Sequence, residues 1–449
     1  MFRTPIRLRG LAAFAAPVAL ATMLGLGALA APDTASAATS PPSLPQATQA
    51  KAAAKWLATQ VNANGYIPST TTPGAPDLDA TANTVLALAS AGVGTGKANS
   101  ALTYLEGHVS SYVTVSGSDG PGQLALLILD AHALGVAPTS FGGTDLVARL
   151  LATQRTTGGN AGLFGAQSPM FDGAYRQGLA LAALAAAGIR SGATVTKAES
   201  WLSAQQCSDG GWTSYITSSN PCTGDPANFE GPDTNSTALA VEGLKAQHAL
   251  GATAAAKALQ FLTGAQDADG GWAYEPNSAT APGSTDPDST ALVFQALLAL
   301  GTPPSAPKLS KAADPVAVLD SFQIASGSGA GALAFPGISG PNLLATYEAV
   351  PALAGVTFAY DLGTPVVTLV TPAKGAVAGG TIVQVAGRGL TEAETVHFGA
   401  VAATSVTVTS SKSLTAVAPA GTVGTVDITV TTPAGTSPPS AADRFTYKA

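Results

Sequence analysis

Over residues 51–360 the hydrophobic positions alternate between two helical patterns. One is amphipathic, often begun by a Lys, with an apolar pair and then Gln. It runs through Trp56-Leu57 with Gln60, Tyr104-Leu105, Leu150-Leu151 with Gln154, Trp201-Leu202 with Gln206, Phe261-Leu262 with Gln266, and Leu319 with Phe322 and Gln323. The other is apolar almost all round, as in Thr84–Ala89, Gln123–Leu129, Gly178–Leu184, Ala238–Leu244, Ala291–Leu297 and Leu343–Tyr347. A helix apolar on every side is buried, whereas an amphipathic one faces solvent. The pattern therefore predicts outer and inner helices in turn. Gly92, Gly135, Gly188, Gly251, Gly301 and Gly355 follow the inner helices, where glycine takes the left-handed conformation that satisfies the last helical carbonyls. The unit recurs about every 50 residues, and six such hairpins close naturally into a ring, which removes the bare ends of an open solenoid.

Beyond residue 360 the pattern changes to alternating Val and Thr between Gly/Pro turns. Val366–Val370, Thr381–Val385, Val406–Val408 and Val426–Thr431 read as short strands of a β-sandwich. The expected fold is an all-α (α/α)6 toroid over 51–360 followed by an all-β immunoglobulin-like sandwich over 364–449.

At the N-terminus Arg3, Arg7 and Arg9 lead into the apolar run Leu11–Ala31 and the small-x-small site Ala35-Ser36-Ala37. That is the pattern of a secretory signal peptide over 1–37. The run is long enough to span a bilayer, so an uncleaved anchor is the other reading, and the cleavage site favours removal. Residues 38–50 form a Pro-rich lead-in. A secreted, extracellular protein, free or associated with a cell wall, is expected. Charged residues make up only 10% of the chain and the net charge is −7, which argues against nucleic acid, whose binding needs a basic face. The partners left are a small molecule or a cell-wall or surface component. The chain has two cysteines, Cys207 and Cys222, and a lone pair in an exported chain is expected to form a disulfide. No C-x-x-C occurs, and His108, His132, His248 and His397 are scattered, so no metal site is expected.

Residues 197–212 and 257–272 are near copies ending in Asp-Gly-Gly-Trp. Their Gln-x-x-x-Gly-Gly-Trp segments, 206–212 and 266–272, resemble the QW motif of the squalene–hopene cyclases, within the prenyltransferase/squalene-oxidase repeat superfamily of α/α-toroids. Tyr66, Phe164 and Phe335 stand for the tryptophan in repeats one, three and six. Gly122-Gln123 and Asp172–Gln177 look like inner-helix starts of the intrinsic factor/transcobalamin toroid, a resemblance that implies a corrinoid ligand. No other cofactor is implied. Pro365–Pro372, Gly379-Gly380-Thr381, Gly387–Leu390, Val396–Gly399, Pro419 and Phe445–Tyr447 resemble an IPT/TIG domain, a spacer or binding module.

Asp286-Pro287-Asp288-Ser289-Thr290-Ala291 is similar to the Asp-x-Asp-Asp-Thr-Ala motif of class II terpene cyclases. The resemblance implies Asp288 as proton donor and Asp286 as its support, with Ser289 in place of the third Asp. That chemistry needs a carboxylic acid kept protonated by its surroundings and a dry cavity with aromatic faces for cations. A plainer reading competes. Asp77–Ala82 and Asp233–Ala238 repeat the local pattern, and every helix needs an N-cap, which Asp supplies. Asp79, Asp233 and Asp288 are then expected to be equivalent caps. Tyr175, Phe294 and Tyr347 are the main aromatics of the inner helices, few for a cyclase. A glycosidase is a third reading, needing two carboxylates from among Asp79, Asp119, Asp172, Asp233, Asp288 and Glu230, between which spacing does not choose. Asp209 and Asp269 keep step with Trp212 and Trp272 and read as turn residues, and the tryptophans are expected to pack between neighbouring hairpins. The leading expectation is a non-catalytic binding protein whose ligand sits on the mouth formed by the inner-helix N-termini, touching Asp79, Gln123, Tyr175, Gln177, Asn235 and Asp288. The alternative is an enzyme, terpene-cyclase-like through Asp288 or carbohydrate-active.

Overall fold

The computed structural model describes residues 47–115, 117–165, 172–216, 222, 231–276, 285–358, 365–390, 393, 395–410, 413–432, 435–437, 439–440 and 442–449. The leader, most of the Pro-rich lead-in, the join near Gly363 and the candidate acid Glu230 lie outside these residues. Among the described residues thirteen α-helices, with three short two-stranded ribbons between them, precede the C-terminal strands: α1 Ala47–Gln60, α2 Leu78–Ala91, α3 Thr95–Glu106, α4 Val109–Val113, α5 Pro121–Ala133, α6 Leu146–Ala152, α7 Ala174–Ala186, α8 Ala193–Ala204, α9 Thr234–Ala246, α10 Ala252–Gly264, α11 Pro287–Ala299, α12 Pro315–Ser321 and α13 Leu343–Leu353.

Helices α2, α5, α7, α9, α11 and α13 each pack on the next, and α13 returns to α2. They are the apolar helices of the sequence pattern and form the inner ring of a toroid. The amphipathic α1, α3, α6, α8, α10 and α12 form the outer layer. In α11 nearly every residue is buried, whereas in α10 only Ala258 and Leu262 are. The short α4 is an extra turn between α3 and α5.

Four of the motif glutamines fasten their hairpin to the next, whereas Gln60 bonds Trp56 O of its own helix. Gln206 Nε2 donates to Gly210 O of its own turn at 3.0 Å and to Ala254 O of α10 at 3.0 Å. Gln154 bridges Gly162 O and Thr194 O in the same way, and Gln266 bridges Gly270 O and Leu309 O. Gln323 closes the ring, reaching Gly331 O at 2.8 Å and Gln49 O of α1 at 3.0 Å. The turn glycines permit this approach. Gly210 has φ +99°, and a Cβ there would lie 2.2 Å from Lys257 O.

Each motif tryptophan is tied to the outer helix before it. Trp212 Nε1 donates to Leu202 O of α8 at 2.8 Å, and Trp272 Nε1 to Leu262 O of α10 at 2.7 Å. Both rings are fully buried, and each is tied to the outer helix of its own hairpin. Their backbone N–H groups donate to Thr237 and Thr290 on the inner helices. The same bond runs from Ile67 to Thr81, Phe164 to Gln177 and Leu333 to Thr346. The tryptophan's place in repeats one and six is therefore held by Ile67 and Leu333, not by Tyr66 and Phe335. Asp209 and Asp269 are turn residues, each accepting from the N–H two residues on at 3.0 Å.

Five of the six expected helix-ending glycines, Gly92, Gly135, Gly188, Gly301 and Gly355, have positive φ. Gly251 does not. His248 takes the left-handed conformation after α9, with φ 57°, and Gly251 instead precedes α10 with φ −65°. Cys207 and Cys222 are bonded, with Cα atoms 5.4 Å apart.

The C-terminal part is a sandwich of two sheets. One orders strands Ser405–Ser410, Ser413–Val417, Ile382–Arg388 and Val366–Thr371; the other orders Val401–Ala402, Thr395–Phe398, Gly424–Thr432, Arg444–Lys448 and Lys374–Ala376. Alternate residues of both, Val383, Val385, Leu414, Val396, Phe398, Ile428 and Phe445 among them, form a core separate from that of the toroid.

The inner ring is tightest between α7 and α9. A Cβ on Gly178 would lie 2.1 Å from Leu239 O, whereas one on Gly96 of α3 would meet nothing within 4 Å. Gly178→Ala should therefore destabilise the protein by about 1–3 kcal/mol, and Gly96→Ala should stabilise it by up to about 1 kcal/mol. Denaturant melts of the two variants check both signs.

Candidate functional site: an acidic cup at the inner-helix N-termini

Four inner helices begin with a side-chain cap. Asp77 accepts from Ala80 N at 2.9 Å, Asp233 from Ser236 N at 2.7 Å, Asp286 from Ser289 N at 2.7 Å and Asn342 from Ala345 N at 2.9 Å. Asp79 and Asp288 are thus not caps, contrary to expectation. A cap stands outside the helix in extended backbone, as Asp77 and Asp286 do, and Asp79 and Asp288 lie two residues further on. Their counterpart in α9 is Asn235. Ser289, where the cyclase motif has its third Asp, donates both its N–H and its hydroxyl to Asp286 and so completes the cap.

Counting from the capping residue shows what faces inward. At 100° per residue the second, sixth and ninth positions fall within about 60° of one another, and the fourth points the opposite way. The fourth-position residues Thr81, Gln177, Thr237, Thr290 and Thr346 bond the turns of the outer layer, so the opposite arc faces the lumen. The second positions form the rim: Asp79, Gly122, Tyr175, Asn235, Asp288 and Leu344. The sixth form the wall: Asn83, Leu126, Leu179, Leu239, Leu292 and Glu348. The ninth, all buried, form the floor: Leu86, Leu129, Ala182, Glu242, Gln295 and Pro351.

Of the residues expected at the mouth, Asp79, Tyr175, Asn235 and Asp288 are rim residues. Gln123 is a third-position residue, half-buried and turned from the lumen toward α2. Gln177 lies on the far side of α7. It takes the place of the threonines, accepting from Phe164 N at 2.9 Å and donating to Gly162 O and Ala198 O at 3.1 Å each, so it holds the outer layer together. Of the other acids considered for a glycosidase pair, Asp119 is bound by Arg149, with Nε 2.8 Å away, and buried Asp172 by Arg155 and Arg176. Asp233 caps α9 and also accepts from Ser214 Oγ at 3.0 Å, in a cluster with Ser236 and Tyr274.

Glu348 was absent from the expected set, yet it is central. It lies on α13, between α2 with Asp79 and α11 with Asp288. Three carboxyls on three successive helices therefore converge. Glu348 is only half-buried but is surrounded by protein, as a wall residue of a cup would be. Burial, then the charges of Asp286 and Asp79, push its carboxyl up to about 8. Burial, then Glu348 and Asp286, raise Asp288 well above the usual carboxylate range. Asp288 is 8% exposed and its Oδ1 has no hydrogen-bond partner. Asp79 opens to solvent at the rim but is otherwise crowded by protein; burial raises it, and the hydroxyl of Tyr112, 2.8 Å from Oδ1, partly offsets this. Asp286 is raised to about 6 by burial, against the bonds from Ser289. The hydroxyls of Tyr112, Tyr175 and Tyr347 are also raised, chiefly by burial. Phe294 is not part of the cup; it packs edge-on against Trp272, centroids 6.2 Å apart. Among the described residues no group of three or more His, Cys, Asp or Glu is arranged to hold a metal ion.

Residues 143–285 match the squalene-hopene cyclase C-terminal domain, and residues 365–447 the IPT/TIG domain. The chain joins a toroid, part of which matches a cyclase domain, to an IPT/TIG module. The first match stops one residue short of Asp286. Among solved structures, the type II terpene cyclase MstE from Scytonema is 18% identical, over 70% of this chain and 98% of that one, with TM-score 0.47. An inactive variant of the α-1,6-mannanase GH76A of Salegentibacter, in complex with α-1,6-mannotriose, is 12% identical over 69% and 98%, with TM-score 0.49. SGBP-B from a xyloglucan utilization locus of Bacteroides uniformis is 26% identical over 17% and 22%, with TM-score 0.16. No curated protein matches the chain.

Two outcomes follow from the geometry. Asp286→Ala should cost about 1 kcal/mol and Asp286→Asn much less, because Asn caps nearly as well; urea melts distinguish them. The raised carboxyls make the folded state hold more protons than the unfolded chain, so stability falls as pH rises from the unfolded Glu value of 4.5 through about 8. The melting temperature should be higher at the acid end of that range, and Glu348→Gln should flatten the slope. A calorimetric series over pH checks this.

Proposed function

We propose that the cup is the active site of an acid-initiated cyclase acting on a linear isoprenoid, with Asp288 as the proton donor. The observation that carries this reading is the buried Asp288 carboxyl, whose Oδ1 has no partner and whose affinity for protons burial, Glu348 and Asp286 raise. A general acid must be protonated at the working pH, and burial next to like charges achieves that. The proton passes from Asp288 to one carbon of a double bond, and the cation forms on its neighbour. The ring faces of Tyr175 and Tyr347 and the carboxylate left behind stabilise that cation. Attack by the next double bond closes a ring, and loss of a proton ends the reaction. Four leucines of the wall supply an apolar surface for the chain. The match to the squalene-hopene cyclase C-terminal domain supports the class of scaffold.

A purely binding mouth, the leading expectation from sequence, needs no carboxyls of raised affinity for protons, and such groups concentrate at catalytic sites. The leader pattern over 1–37 and the Cys207–Cys222 bond support an exported enzyme, with the IPT/TIG module as spacer or adhesion domain.

The test is incubation of the protein with squalene, geranylgeraniol and geranylgeranyl diphosphate, followed by mass spectrometry for cyclised products. Asp288→Asn should lower turnover by about 10²-fold or more with an unchanged melting temperature. If the wild type cyclises none of these substrates, or the Asn variant turns over normally, the assignment fails.

A further inference from the structure

The rim carries two acids in unlike surroundings. Asp79 and Asp288 occupy the same register, two residues past the caps of α2 and α11, and α13 packs against both helices. Asp288 is 8% exposed and its Oδ1 has no partner. Asp79 is exposed at the mouth, and the hydroxyl of Tyr112 donates to its Oδ1 at 2.8 Å. Tyr112 comes from α4, the extra turn between α3 and α5, and is buried there with Val109 and Val113. A hydrogen bond to a carboxylate favours its charged form, whereas burial without one favours the neutral form. Burial raises Asp79, the Tyr112 bond lowers it and Asp77 raises it; at Asp288 burial, Glu348 and Asp286 all act upward. Glu348 is raised by burial, Asp286 and Asp79 to about 8, which leaves Asp79 as the carboxylate of the trio at neutral pH. Two acids whose surroundings push their proton affinities apart divide into a donor and an acceptor.

We propose that Asp79 is the base that ends the cyclisation, removing a proton from the carbon beside the final cation, and that Tyr112 is the positioning residue that holds its carboxylate. This rests on the cyclase reading, which begins with a proton from Asp288 and so must end with the loss of one. The C–H bond next to the cation breaks, its electron pair becomes the new double bond, and the proton goes to Asp79 Oδ2, since Oδ1 accepts from Tyr112. Such a C–H group is strongly acidic, so a carboxylate of ordinary basicity suffices. Asp79 opens to solvent and sheds the proton to water, and Asp288 regains one from water once the product has left. The net reaction is an isomerisation. Because α13 stands between α2 and α11, the proton enters the substrate on one side of the mouth and leaves it on the other, as closure of successive rings along a chain requires.

The experiment is product analysis by mass spectrometry after incubation of the full protein with squalene, geranylgeraniol or geranylgeranyl diphosphate. A cation that finds no base is captured by water, and the resulting alcohol is heavier than the cyclised alkene by one water. Asp79→Asn should still consume substrate, at a reduced rate, and should lower the ratio of cyclised alkene to water-captured alcohol by about 10-fold or more. Tyr112→Phe, which loses only the hydroxyl, should lower the same ratio by about 3-fold. Asp79→Glu, which keeps a carboxylate, should restore most of it, and these two variants carry the test if Asp79→Asn does not fold. An unchanged ratio in Asp79→Asn or in Tyr112→Phe overturns the assignment and leaves the cyclase reading standing. So does an Asp79→Asn variant as inert as Asp288→Asn, since Asp79 would then serve the first proton transfer. A wild type that cyclises none of the three substrates removes the cyclase reading, and this assignment with it.

Discussion

The toroid depends on one side-chain amide repeated around the ring. A glutamine at the end of an outer helix has two N–H donors on one nitrogen. One satisfies a carbonyl of its own turn, the other a carbonyl of the next outer helix or of the segment leading into it. Because Gln154, Gln206, Gln266 and Gln323 all do this, four of the six hairpins fix the position of their neighbour. The last of them reaches back to α1 and leaves no open end. The tight turn glycine and the inner-helix threonine belong to the same device: glycine lets the backbone come close, and the hydroxyl binds the turn's N–H.

That fastening decides where charge accumulates. Every hairpin has the same hand and offset, so all the inner helices start at one end of the ring. Six N-termini then surround a single opening. Their positive ends favour acidic side chains, which explains the caps at Asp77, Asp233 and Asp286. The residues two positions on have no such task, and the ring turns them inward. Asp79, Asp288 and Glu348 therefore come close enough for burial and mutual charge to raise their affinity for protons. Capping and acidity are separate roles held by adjacent acids, Asp286 for the first and Asp288 for the second.

The cup is graded from top to bottom. Its rim is polar, its wall is leucine except at Asn83 and Glu348, and its floor ends in Gln295 and Glu242 above Phe358. The sandwich that follows has its own core.

Much of this was legible in the sequence. Alternating amphipathic and apolar patterns placed the two layers, because burial on all sides demands apolar residues on all sides. The Gln-x-x-x-Gly-Gly-Trp copies announced the ring, and the Val/Thr alternation announced the sandwich. Rim residues such as Asp79, Asn235 and Asp288 stood out because they lie next to helix starts. What sequence left undecided was direction. Asp286 and Asp288 are two residues apart and chemically alike, and only the helix start, known from backbone conformation, separates cap from lumen. Gln177 read as a mouth residue, yet four residues after the cap its side chain points outward. Glu348 carried no motif, since its role comes from two other helices brought beside it. Local composition determined which segments are helices and which face is buried; closure of the ring decided which acids share one space, because proximity across helices is not written in spacing along one.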